Sequence, residues 1–172
     1  MNPASITRLD LALAAPEIFL LTATCLILLI DLFLDDARRG VTFVLSLLAL
    51  AGASFVTADT AVSAHTVAWY GTYVADPVGS LLKIVAYGAV AVAFLYGYDY
   101  LRKRNLLKGE YFVLGLFALL GIMVLISANS LITLYLGVEL LALSLYAMVA
   151  FNRDSGVSAE AAIKYFVLGS IA

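Results

Sequence analysis

A carboxylate lies in the middle of an apolar run. Glu139 sits within Leu131 to Phe151, a stretch that as a helix reaches ~30 Å, the thickness of a bilayer's hydrocarbon core. A charged acid at that depth costs about 2.5–3.5 kcal/mol. Ionisable groups held there commonly serve proton or ion movement. The next apolar helix supplies a base, Lys164. The two helices are joined by a short loop and so pack antiparallel. Helical rise puts Glu139 ~18 Å from the Phe151 end and Lys164 ~9 Å from the Ser158 end. That leaves ~9 Å of axial offset, too much for a close ion pair without tilt or kink. A bridging water or an intervening polar side chain fits the gap better. Each residue also has a plainer reading. Glu139 could be a neutral, hydrogen-bonded acid, since burial disfavours the ionised form. Lys164 could pair with Glu160, four residues earlier in the favoured order, or snorkel to the interface. Lys83, near the start of the third apolar segment, is a further possible relay group, and snorkelling is the expectation there.

These residues need a membrane scaffold, and the composition supplies one. The chain is 172 residues long, 64% hydrophobic and only 13% charged, with a mean hydropathy of +1.04. Soluble domains are about 45–50% apolar and about 25% charged. A net charge of −2 gives no reason to expect a nucleic-acid partner. The lone cysteine, Cys25, cannot form an internal disulfide and is expected to pack in its helix. One histidine, His65, cannot build a multi-histidine metal or haem site. No cleaved leader is expected at the N-terminus, because the apolar stretch is long and ends at Asp35, Asp36, Arg38 and Arg39.

The pattern predicts five full spans, at about 15–34, 41–57, 78–98, 110–127 and 131–151, and an incomplete sixth from Ser158 to Ala172. Pro16 and Glu17 suit the first turn of span one, the proline by its fixed φ and the acid by the helix dipole. Asp76-Pro77 is a cap-plus-first-turn signal for span three. Within the 58–77 loop, Thr66 to Ala75 is β-branched and aromatic around Gly71, which predicts a short hairpin at the membrane surface. The loops on one side carry Arg38, Arg39, Arg102, Lys103, Arg104, Lys108 and Arg153; the other side has only Arg8. The basic side is therefore expected to face the cytoplasm and the N-terminus the outside. Asp31 is expected at the interface, and Tyr87, Tyr96, Tyr98 and Tyr100 mainly in an aromatic belt. Glycines such as Gly121 and Gly137 permit close helix packing. The fold class is an all-α integral membrane protein, a polytopic helix bundle. A chain stopping inside an apolar helix is expected to be the N-terminal part of a longer protein, or a split or truncated product.

The stretch from Gly109 to Ala172, above all "SANSLITLYLGVELLALSLYAMVAFNRD" and "SAEAAIKYFVLGS", closely resembles subunit N of bacterial NADH:quinone oxidoreductase, respiratory complex I. "APEIFLLTATCLILLIDLFL" and "YVADPVGSLLK" resemble that family's first helix and its entry to the third. The first-helix signature favours subunit N over subunits L and M and over multisubunit cation/proton antiporters. The resemblance implies the start of an antiporter-like fold. It implies a first segment, 1–109, of three helices with the outer loop 58–77, and a second, 110–172, that begins the proton-translocating module. Glu139 then matches a fifth-helix glutamate that pairs electrostatically with a seventh-helix lysine. Lys164 matches a lysine in the cytoplasmic half-channel, and Lys83 looks like a third-helix lysine frequent in the family.

By the same resemblance the chain is a membrane subunit of a proton-translocating oxidoreductase in the cell inner membrane. No cofactor is expected in this chain. NADH, flavin, iron–sulfur clusters and quinone are expected on other subunits, with the lipid bilayer, protons and the other membrane subunits as partners. The alternatives are a cation/proton antiporter subunit and a non-translocating structural fragment.

Overall fold

The computed structural model describes residues 10–34, 40–104 and 106–171. Arg8, Asp35, Asp36, Arg38 and Arg39, used above for topology, lie outside the described residues. The chain runs α1 (Ala15–Leu32), α2 (Gly40–Asp59), β1 (Thr66–Ala68), β2 (Tyr73–Ala75), α3 (Pro77–Lys103), α4 (Gly109–Ile126), α5 (Leu131–Val149) and α6 (Gly156–Ile171). The first five helices are long and apolar enough to cross a membrane by length and composition. The polytopic helical bundle read from the sequence is therefore the observed architecture, with boundaries shifted by a few residues. The largest shift is at α3, which continues five residues past the expected end through the polar segment Asp99–Lys103. Its final Arg102 and Lys103 favour the negative end of the helix dipole.

The helix starts follow local chemistry. Pro16 occupies the first turn of α1. Asp76 caps α3 by accepting from the Gly79 amide at 2.7 Å. Ser130 and Thr133 form a reciprocal capping box on α5. Ser158 was the expected cap of the sixth helix; instead the Ser155 hydroxyl accepts from the Ser158 amide, and α6 begins at Gly156. Ser155 lies before the first turn, where the unpaired amides point.

α4 is the hub. It packs against α1, α2, α3 and α5, and the core gathers Leu20, Ala53, Tyr87, Phe94, Phe112, Leu116, Leu119 and Met123 around it. Lipid is as apolar as leucine, so close van der Waals packing between helices has to supply their association. The α4–α5 seam is the tightest case: a Cβ at Gly121 would stand 2.7 Å from the Leu141 backbone nitrogen, and one at Gly137 3.0 Å from that of Leu125. α5 and α6 hang on this seam and leave most of their apolar surface uncovered.

β1 and β2 form the expected hairpin, paired Thr66–Ala75, Val67–Val74 and Ala68–Tyr73. Its tip turns through Trp69, Tyr70 and Gly71, all at positive φ, a region glycine enters freely and bulky residues rarely do. The free edge of β2 is covered by the α4–α5 turn: the Val74 amide donates to the Ser127 carbonyl and the Asn129 amide to that of Thr72. The hairpin thus closes the bundle end where α1, α3 and α5 begin and α4 stops.

Two side-chain expectations change in three dimensions, and a third gains partners. Tyr87 is buried and shares a 2.8 Å hydrogen bond with Thr57, and Tyr98 stacks on Phe43 at 4.6 Å, so neither is a belt residue; Tyr96 and Tyr100 are exposed. Cys25 is exposed on α1 rather than packed. Asp31 accepts from Thr42 at 2.5 Å and abuts Gly109, joining α1 to the starts of α2 and α4.

Candidate functional site

Glu139 is half-buried, eight residues into α5. Gly137 and Leu141 of α5 mark the seam with α4. Glu139, two positions past Gly137, is turned about 200° from it around the helix. Seven residues on from Glu139, and so on nearly the same face, is Tyr146. Its ring packs edge-on against Tyr165 at 4.9 Å and Phe166 at 5.6 Å. Its hydroxyl reaches Gly169, where a Cβ could not fit. Glu139 therefore stands on the α6-facing stripe of α5, two turns beyond the point where α6 crosses it.

Lys164 is next to Tyr165 and lies near the level of Tyr146. Seven residues of α5 separate that level from Glu139, about 10 Å of helical rise. Lys164 does not pair with Glu139; it pairs with Glu160 at 2.5 Å, and both side chains are well exposed. Tyr146 was not singled out from the sequence as a site residue. A helical side chain leans toward its helix's N-terminus, so the Tyr146 hydroxyl points from the level of Lys164 toward that of Glu139. The i, i+7 spacing was the available signal.

Lys83 is not at the interface. It is 5% exposed and Glu17 8%, and its Nζ lies 2.5 Å from Glu17 Oε1. The snorkelling expectation fails because the side chain, though it runs toward the hairpin end, enters the bundle between α1 and α3. By rise, Lys83 lies ~9 Å and Glu17 ~3 Å inside their helix starts, and the long lysine stem spans the difference. Tyr73 and Ser127 complete the cluster. The Tyr73 hydroxyl accepts from Lys83 at 3.2 Å and faces both Glu17 oxygens at 3.1 Å and the Leu13 carbonyl at 3.0 Å. Ser127 donates to Glu17 at 3.4 Å. Burial, and then the negative charge of Glu17, push the Tyr73 phenol well above its usual range. An unpaired charge here would carry a desolvation penalty of several kcal/mol.

The arrangement therefore holds two separate sets of ionisable groups. One is the buried Glu17–Lys83–Tyr73 cluster under the hairpin. The other is the open α5–α6 stripe bearing Glu139, Tyr146 and Lys164.

Comparison with known proteins identifies the family of the chain. Residues 128–172 match a family model described as NADH:quinone oxidoreductase/Mrp antiporter, TM. That description spans both oxidoreductase and antiporter subunits. The curated relatives distinguish them: the chain is 52% identical over 167 residues to NADH-quinone oxidoreductase subunit N of Alkalilimnicola ehrlichii. The chain belongs to the subunit N family. Subunit N proteins of Thiobacillus denitrificans (51%) and Nitrosomonas europaea (50%) match across 97% and 95% of this chain. The chain spans about a third of the length of these relatives, with 33% of the Alkalilimnicola protein covered. A chain of respiratory complex I from Thermus thermophilus with bound Aureothin superposes with a TM-score of 0.70 over 91% of this chain and 33% of that one, at 24% identity. That likeness shows that the helix order described above is a fold shared with that chain.

Proposed function

We propose that this chain contributes to proton translocation as a stretch of a membrane subunit of NADH:quinone oxidoreductase. The single observation that carries the reading is the subunit N kinship over nearly the whole chain, with a half-buried carboxylate, Glu139, deep in an apolar span. Glu139 and Lys164 form the relay. A proton arriving at Lys164 makes it a cation held by Glu160, and that charge is felt at Glu139 through Tyr146 and water. Glu139 in turn sets the proton affinity of a basic group beyond this chain. NADH, flavin, iron–sulfur clusters and quinone belong to other subunits of the assembly, and the other membrane subunits are the partners.

The hairpin end faces the outer side of the inner membrane, a reading supported by Arg102, Lys103, Arg104, Lys108 and Arg153 at the opposite end. Residues 1–109 form the anchoring segment and 110–172 begin the translocating module. The test is Glu139→Gln in the complete complex, with protons pumped per NADH oxidised as the measurement. A large fall in pumping is expected; unchanged stoichiometry and rate would defeat the relay.

A further inference from the structure

The relay leaves the most deeply buried charges of the chain unused. Glu17, Lys83, Tyr73 and Ser127 lie under the hairpin, bonded to one another. Beside them is a cavity lined by Tyr73, Asp76, Ser80, Lys83, Thr57 and Thr60, with about 10 Å³ of room for water centres. That is about the space of a single water. The cavity runs from the lysine to Asp76 and Thr60, which stand at the ends of α3 and α2 on the hairpin side.

The other direction is closed. One turn further along α3, Tyr87 is engaged by Thr57. Beyond it Phe94, Phe112, Leu116 and Leu119 are packed with at most 2% exposure. Two of these, Phe94 and Phe112, meet edge-on at 5.3 Å. A polar wall on one side and a dry apolar seal on the other make a pocket with one exit.

We infer that Glu17 and Lys83 form a proton-binding site that exchanges with the hairpin side of the membrane only. Glu17 accepts one proton from the Tyr73 hydroxyl, which lines the cavity and donates to the carboxylate. An O–H bond forms on the carboxylate as the phenol's breaks, the phenol oxygen takes a proton from the cavity water as the water's O–H bond breaks, and solvent on the hairpin side makes good the water's loss. Lys83 keeps its own proton, and its charge is then met by the Tyr73 oxygen and the cavity water it adjoins, so the site's charge alternates between zero and plus one. Release reverses each step, and no electrons move. The groups facing Glu17 are few. Tyr73 comes from β2, Lys83 and Tyr87 from α3, and Asp76 stands at the cavity rim. Among the described residues, Ser127 at the end of α4 bonds Glu17, while Thr57 and Thr60, from the end of α2, line the cavity.

The site is independent of Glu139, and the experiment separates the two. The assembled complex, carrying the full-length subunit, is placed in sealed, uniformly oriented vesicles. Protonated-carboxyl infrared difference bands are recorded while the pH of each compartment is lowered in turn. Acidifying the hairpin side is expected to raise a band that is lost in Glu17→Gln and kept in Glu139→Gln. Acidifying the other compartment is expected to leave it unchanged. A Glu17-dependent band that follows the opposite compartment, or no Glu17-dependent band from either side, overturns the inference. Should Glu17→Gln fail to assemble, the swap Glu17→Lys with Lys83→Glu keeps the pair, and the band must then depend on position 83. An assembled swap without it overturns the inference equally.

Discussion

Lys83 Nζ lies 2.5 Å from a carboxylate oxygen of Glu17, joining the first and third membrane helices beneath a hairpin that both help to hold. Removing one partner strands a buried charge, which costs about 3–5 kcal/mol, whereas replacing both with apolar groups of similar size is often neutral. Lys83→Met alone is therefore expected to lower the stability of the subunit by about that amount. Glu17→Leu combined with Lys83→Met is expected to restore most of it. Thermal unfolding of the purified complex, followed by loss of this subunit, measures both.

The Tyr73 phenol is held above its ordinary range by burial and by Glu17. Its folded form therefore stays neutral where an unfolded tyrosine, near pH 10, ionises. The stability this provides is fully present below about pH 10 and is lost as pH rises toward the folded value. An ultraviolet titration of wild type minus Tyr73→Phe is expected to show a phenol ionising above the range of a free tyrosine. Ionisation within that range would count against the buried cluster.

At Gly121 the obstacle is backbone rather than a flexible side chain, since a Cβ would meet the Leu141 nitrogen at 2.7 Å. Gly121→Ala is expected to cost about 1–3 kcal/mol by forcing α4 and α5 apart. Gly88→Ala, with open space around it, serves as the control. Subunit retention on detergent titration distinguishes them.

Tyr146→Phe keeps the ring contacts with Tyr165 and Phe166 but removes the hydroxyl aimed between the levels of Lys164 and Glu139. Pumping is expected to fall while assembly is unchanged. Tyr146→Ala is expected to lose both. Proton flux per NADH oxidised, measured beside subunit content, separates the two effects.

Asp76→Ala removes the side-chain acceptor for the Gly79 amide and is expected to destabilise α3 by about 0.5–2 kcal/mol. Asp76→Asn is expected to cost much less, because the amide oxygen can still accept. Hydrogen exchange in the first turn of α3 reports the difference.

The five spans, the Asp76-Pro77 helix start and the hairpin were legible in the residues. Each depends on local quantities: apolar run length, capping chemistry and β propensity around a turn. The Lys164–Glu160 pair was one of three readings the sequence left open, and the structure takes the local i, i+4 contact. The Glu17–Lys83 pair was missed, although a clue existed. Both residues lie in the first two turns of helices that start on the same side of the membrane, with opposite charge. Snorkelling was expected because a single helix cannot show whether its neighbour covers the lysine.

The sequence by itself determined that the chain crosses a membrane and where its helices begin and end to within a few residues, because hydropathy and backbone hydrogen bonding act along the chain. Only the tertiary structure decided which ionisable groups are buried and which of them meet. Glu17, Tyr73, Lys83 and Ser127 come from four elements separated by up to 110 residues, and their contacts depend on how α4 gathers its neighbours. Close packing of side chains across helices sets that arrangement, and it has no periodicity for a one-dimensional reading to detect.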